Sequence, residues 1–193
     1  FHTMKNYLLW GSQNNVRYYY AELYPNWGEG PKAWIAAKLL WNPNQNVDSL
    51  LSIWYNKFAG NKAAPYLKAY YDTWENFWEN DILKSKWFQT RTQYLLFSNI
   101  SYAQTVPDTY VQQSDAFLNK ALSLTITVQQ KNRVEELIKM WKIYKTAILQ
   151  SKKLSATKLT DLKNTKILVQ EINALKADSI HQASCELLLK YIN

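Results

Sequence analysis

A single cysteine, Cys185, stands in 193 residues, so no disulfide can form within the chain and the redox compartment stays open. Glycine is equally scarce. The four residues are Gly11, Gly28, Gly30 and Gly60, and Gly28-Glu29-Gly30 lacks the rest of a phosphate-cradling pattern. His2 and His181 have no cysteine or carboxylate at ligand spacing beside them, so no metal site and no cofactor are expected. No apolar run approaches the length of a membrane span. The opening Phe1-His2-Thr3-Met4-Lys5 lacks the charged and apolar regions of an export signal and is expected to be the interior of a longer protein.

Charge of one sign is in excess: 23 Lys and Arg against 15 Asp and Glu, a formal net charge of +8. Basic proteins can bind nucleic acid by releasing counterions. Here the lysines are spread singly, and only Lys152-Lys153 are adjacent. Such a spread is a solvated surface, so no nucleic-acid partner is expected.

Aromatic side chains are abundant, with nine Trp and fourteen Tyr. All the tryptophans except Trp141 lie at or before Trp87, so the chain changes character near residue 100.

Residues 4–10 read as the last turns of a helix stopped by Gly11. After the polar turn 12–15, the short run Val16–Ala21 is rich in β-favouring aromatics and is predicted to be a strand. A strand must pair its backbone groups, and no second good candidate follows. Residues 24–31 hold two Pro and two Gly and form a loop. Pro31 is placed to open a helix that Asn42-Pro43 ends. The order helix, strand, loop, helix is part of a β/α repeat.

Beyond this the pattern is helical. Val47, Leu50, Leu51, Trp54, Tyr55 and Phe58 form a stripe between a cap at Asn46 and a stop at Gly60. A helix begins near Asn61 with Pro65 in its first turns, and Tyr66, Tyr70, Trp74, Phe77 and Trp78 give it an aromatic face. Residues 82–107 have no clean period and are predicted to be a loop with one short helix around 90–98. Pro107-Asp108 opens a helix to about Leu124. A longer one covers roughly 128–150, with Val134, Leu137, Ile138, Trp141, Tyr144 and Ile148 on one face. Ser155 can cap a further helix to about Ala177, with Leu162, Val169 and Ile172 inward; a last one from Ile180 buries Leu187, Leu188 and Tyr191.

The distinctive stretch is 16–71, with Tyr20-Ala-Glu-Leu-Tyr-Pro-Asn-Trp-Gly-Glu-Gly-Pro-Lys32, then Lys38-Leu-Leu-Trp-Asn-Pro-Asn44, Trp54-Tyr55, Gly60-Asn-Lys-Ala-Ala-Pro65 and Tyr70-Tyr71. Over roughly residues 1–80 it resembles the bacterial domain-of-unknown-function family 4838. The resemblance implies a glycosidase-like TIM barrel related to α-glucuronidases, followed by a helical region. The expected fold is therefore mainly α: the last strand, loop and helix of a (β/α)8 barrel plus a C-terminal helical region. The expected division is 1–45 for the barrel end, 46–106 for an aromatic-rich helical extension and 107–193 for a C-terminal helical bundle.

On that reading Val16–Ala21 is the eighth barrel strand and 22–30 the loop at its C-terminal end, the face where such barrels build their sites. Tyr24 and Trp27 offer flat faces to a sugar ring, while Glu22, Asn26 and Glu29 offer hydrogen bonds to hydroxyls. These five are the expected substrate-binding residues. Glycoside hydrolysis needs two carboxyl groups flanking the bond, and two glutamates on one loop seldom straddle a substrate, so no catalytic residue is assigned within the chain. The plainer alternative is that Glu22 pairs with Arg17 while Tyr24 and Trp27 seal the barrel mouth. Likewise, Trp54, Tyr66, Tyr70, Trp74 and Trp78 at helical spacing read as core. The expected partners are a poly- or oligosaccharide and the preceding barrel residues, with location open among secreted, periplasmic and cell-surface. The competing function is a freestanding helical interaction module that uses the basic helices 128–150 and 155–177.

Overall fold

The computed structural model of the protein describes residues 1–21, 27–89, 101–153, 166–176, 182, 185, 186 and 189. Through these residues run α1 (His2–Gln13), α2 (Lys32–Trp41), α3 (Val47–Ala59), α4 (Ala64–Asn76), α5 (Lys86–Gln89), α6 (Asp108–Ser123), α7 (Val128–Lys153) and α8 (Lys166–Lys176). The fold is mainly α, and the described residues contain no strand. The short helix expected around 90–98, the Ser155 cap, and Leu162, Leu187, Leu188 and Tyr191 lie outside the described residues.

The expected strand Val16–Ala21 is the main correction. The stretch is irregular and exposed throughout. Its run of tyrosines meets the side-chain preference of a strand, but a strand exists only when its N–H and C=O groups pair with a neighbour. No partner strand is present among the described residues.

A second correction concerns Gly11. The helix runs through it to Gln13 and ends on the asparagines that follow. Asn14 donates its side-chain amide to the Trp10 carbonyl at 2.8 Å, and Asn15 takes φ +60. Val16 N–H then reaches back to the Gly11 carbonyl at 3.0 Å. This is the closing bond of a Schellman turn, with asparagine in the left-handed position that glycine usually fills.

The next helix boundaries follow the sequence more closely. Asn42 caps α2, which begins at Lys32 just after Pro31. Asn46 accepts the Ser49 N–H at 2.8 Å and starts α3; Gly60, at φ +88, ends it. Pro65 sits in the first turn of α4, where its missing N–H costs nothing. Beyond Asn76 the helix widens into a π turn, Phe77–Asp81, and tightens into a 3-10 turn, Ile82–Lys84. Further on, Thr127 and Gln130 cap α7 reciprocally: each backbone N–H meets the other's side chain at 3.2 Å.

The four-residue link through Gly60 folds α4 back along α3, while α6 packs against α4 and α7 against both α3 and α6. One continuous cluster of buried residues, from Leu8 to Ile148, fills the space between them. Tyr70 and Trp74 of α4 meet Trp141 of α7 with ring centroids 5.9 and 5.5 Å apart. Tyr70 and Trp74 are buried as the stripe predicts, whereas Trp54 and Phe58 are only half-buried and stack on each other at 4.4 Å. Along α7 the expected inward residues Val134, Leu137, Trp141 and Ile148 are buried, with Ile138 and Tyr144 packed partly against the same core.

A smaller cluster joins Met140 and Ile143 of α7 to Leu168, Ile172 and Leu175 of α8 and to Cys185. Lysines of α7 meet acids on other helices: Lys142 pairs with Glu171 at 2.8 Å, Lys145 with Asp115, and Lys152 with Asp108. Among the described residues no helix is long and apolar enough to cross a membrane.

Candidate functional site

The expected sugar-binding loop is described only at its C-terminal end. Glu22, Tyr24 and Asn26 lie outside the described residues. Trp27 heads a 3-10 turn, Trp27–Glu29, that packs on α7. Glu29 is half-buried, with its carboxylate 3.4 Å from Lys32 Nζ one turn away in α2. A carboxylate so placed has a cationic neighbour in the chain itself, and it approaches the N-terminal end of α2, where negative charge is favoured.

After this turn Gly30 takes φ +56 and the chain enters α2 through Pro31, which is fully buried. Glycine at position 30 has two causes. The left-handed backbone suits it, and the Tyr71 phenol occupies the space where a side chain would point. A Cβ at Gly30 would lie 2.2 Å from both Cζ and the hydroxyl oxygen of Tyr71. Tyr71 is itself held by Tyr70 at 5.0 Å and by Tyr55 and Trp54 at 6.0 Å each. Its hydroxyl is buried and has no hydrogen-bond partner among the described residues. Burial raises the pKa of Tyr71 well above that of an ordinary phenol.

On either side of the loop, α1, the stretch 16–20 and α2 each carry exposed apolar side chains. Tyr7, Trp10, Tyr18, Tyr20, Leu40 and Trp41 are all at least 47% exposed, an unusual amount for residues of this size.

A second feature escaped the sequence reading. An open groove of about 260 Å³ is lined by His2 of α1 and by Asp72, Glu75, Asn76, Glu79 and Asn80 at the end of α4 and the π turn. His2 looked isolated because its neighbours are remote in sequence; Nε2 lies 3.1 Å from Asp48. The spacing 72, 75, 76, 79 places four polar residues on one helix face, a signal that was available but is also what any solvated face displays. Beside the groove, the Tyr110 hydroxyl donates to Asp81 at 2.8 Å and accepts from Asn76 at 2.7 Å. The bond to Asp81, which holds the phenol proton, raises the pKa of Tyr110. Among the described residues no three His, Cys, Asp or Glu side chains converge as a metal site would require.

Residues 1–72 match the family described as Domain of unknown function (DUF4838). The match takes in α1, the irregular stretch, the loop, α2, α3 and α4 as far as Asp72, so it includes both Gly30 and the Tyr71 beneath it. No curated protein and no solved structure matches the chain.

Proposed function

We propose that the chain is the C-terminal, mostly helical part of a carbohydrate-active barrel protein. In this reading it supplies one wall of a sugar site through loop 22–30 and buttresses the barrel with its helices. Residues 1–45 are the barrel end, 46–106 the aromatic helical extension, and 107–193 the C-terminal bundle. The observation that carries the reading is the stretch 16–21: irregular, exposed and rich in tyrosine, set between two helices of a mainly helical chain. Strand-type side chains outside any sheet are what the last strand of a barrel presents when its neighbours are not beside it. The exposed aromatic faces of α1 and α2 point the same way, since helices flanking a barrel strand bury one face against the sheet.

The DUF4838 match is consistent with this reading but brings no activity with it, because that family is itself described as being of unknown function. Carbohydrate enters through the resemblance to glycosidase-like barrels and through the composition of the loop. Against the alternative of a freestanding interaction module stands α7, whose apolar face is already packed inside the bundle and whose lysines 142, 145 and 152 pair with acids of this chain.

The test is a titration of the intact parent protein with oligosaccharides beside its Glu22→Gln variant. A hydroxyl-binding carboxylate keeps its shape but loses its charge in this substitution, so affinity should fall at least about tenfold, roughly 1.4 kcal/mol. Equal affinity in the two proteins removes Glu22 from the sugar site. Binding of no glycan by the parent removes the reading altogether.

A further inference from the structure

We infer that Tyr71 is the positioning residue for the loop exit, residues 27–30, acting as a wedge through which the α3–α4 pair sets where the chain enters α2. The importance of the loop for sugar rests on the function proposed above; the wedge itself rests on geometry alone.

The phenol of Tyr71 stands where the side chain of residue 30 would be, so the loop exit can approach α4 only if that residue is glycine. The ring cannot easily retreat, because Tyr70, Tyr55 and Trp54 surround it. Close-packed interiors transmit such contacts rather than absorbing them. On the other side of the turn, residues 27–29 rest on α7, and Pro31 is fully buried. The end of the loop is thus clamped between α4 and α7, and α1 and α2 alone do not determine its position.

The buried hydroxyl points in the same direction. Among the described residues it has no hydrogen-bond partner, so the packing value of this side chain lies in its ring. A phenylalanine should therefore do the same work. The DUF4838 match extends through both members of the contact, which makes the wedge internal to the matched unit.

Hydrogen exchange in the chain tests this without any sugar present, so its outcome and that of the glycan titration are independent. The amides of residues 27–30 are compared with those of 137–148 in α7 for Tyr71→Phe, Tyr71→Ala and Gly30→Asn. Asparagine tolerates positive φ, so Gly30→Asn tests the clash with the ring more than backbone strain. Tyr71→Ala and Gly30→Asn should each speed exchange at 27–30 at least about tenfold relative to α7, with Tyr71→Phe close to the unsubstituted chain. If Tyr71→Ala loosens the whole molecule, Gly30→Asn decides. Exchange at 27–30 that is unchanged in Gly30→Asn, or that rises evenly with α7, overturns the inference.

Discussion

The two halves of the aromatic complement meet opposite fates. Around α3, α4 and α7, tyrosine and tryptophan form the core: Tyr55, Tyr70 and Trp141 are each no more than 5% exposed. Around α1, the stretch 16–20 and α2, the same residue types face outward, with Tyr18 93% and Trp41 90% exposed. Composition alone would have placed both sets inside. What separates them is the number of elements that converge. Two helices cannot enclose an aromatic stripe between them, whereas α3, α4, α6 and α7 close around one. Much of the exposed set belongs to, or flanks, the irregular stretch 16–21.

The largest expected effect on that contrast comes from alkali. Burial raises the pKa of Tyr55, Tyr70, Tyr71 and Tyr144, with Asp72 and Glu75 adding to the effect at Tyr55. A phenol is neutral below its pKa, so the folded state holds protons that the unfolded chain releases at about pH 10. The stability contributed by these groups is complete below that pH and falls as pH rises through it towards the folded values. Circular dichroism against pH should show the helices melting cooperatively above about pH 10, with little change between about pH 7 and 9. Retention of the fold at pH 12 would mean that the α4 tyrosines are not enclosed.

Next in size is truncation in the core. Trp74→Ala removes a buried ring packed on Trp141 and Tyr144 and should cost about 3–5 kcal/mol in denaturant unfolding. Trp54→Ala, by contrast, removes a half-buried ring, and a loss of about 1–2 kcal/mol is expected. Equal losses at the two sites would erase the distinction between core and rim within α3–α4.

Most of the helical core was legible beforehand, because its signals are local and redundant. The stripe Val47–Phe58 came with a capping asparagine and a stopping glycine, and helix, cap and stop all formed. Pro107 and the apolar face of α7 served equally well. Two local signals misled. Gly11 offered a helix stop, but the asparagines at 14 and 15 could satisfy the last carbonyls, and the helix continued to them. Val16–Ala21 has strand-type side chains, but whether such residues become a strand depends on a neighbour that sequence periodicity does not supply. The groove around His2 was hidden for a related reason: its lining joins His2 to Asp72–Asn80, remote in sequence and brought together by the packing of α1 near the end of α4. Of the five residues assigned to sugar, only Glu29 has its side chain described, and its carboxylate lies 3.4 Å from Lys32 Nζ.

The smallest expected effect is the one that most sharpens the contrast. Tyr18 and Tyr20 are almost fully exposed and belong to a stretch without regular structure, so replacing both by serine removes little buried area. Surface substitutions away from caps and charge networks usually change stability by less than about 0.5 kcal/mol, and Tyr18→Ser with Tyr20→Ser should stay within about that range per site. In the longer barrel protein proposed above, the parent, the same pair should behave differently. If the stretch is a barrel strand there, Tyr18 and Tyr20 share one face against a packed layer, and the double substitution should cost about 2 kcal/mol or more. Denaturant unfolding of both proteins, each with and without the two substitutions, separates the possibilities. A small loss in the chain with a large loss in the parent supports the covered surface. A loss above about 1 kcal/mol in the chain alone would place these tyrosines in its own core and dissolve the contrast between the two aromatic regions.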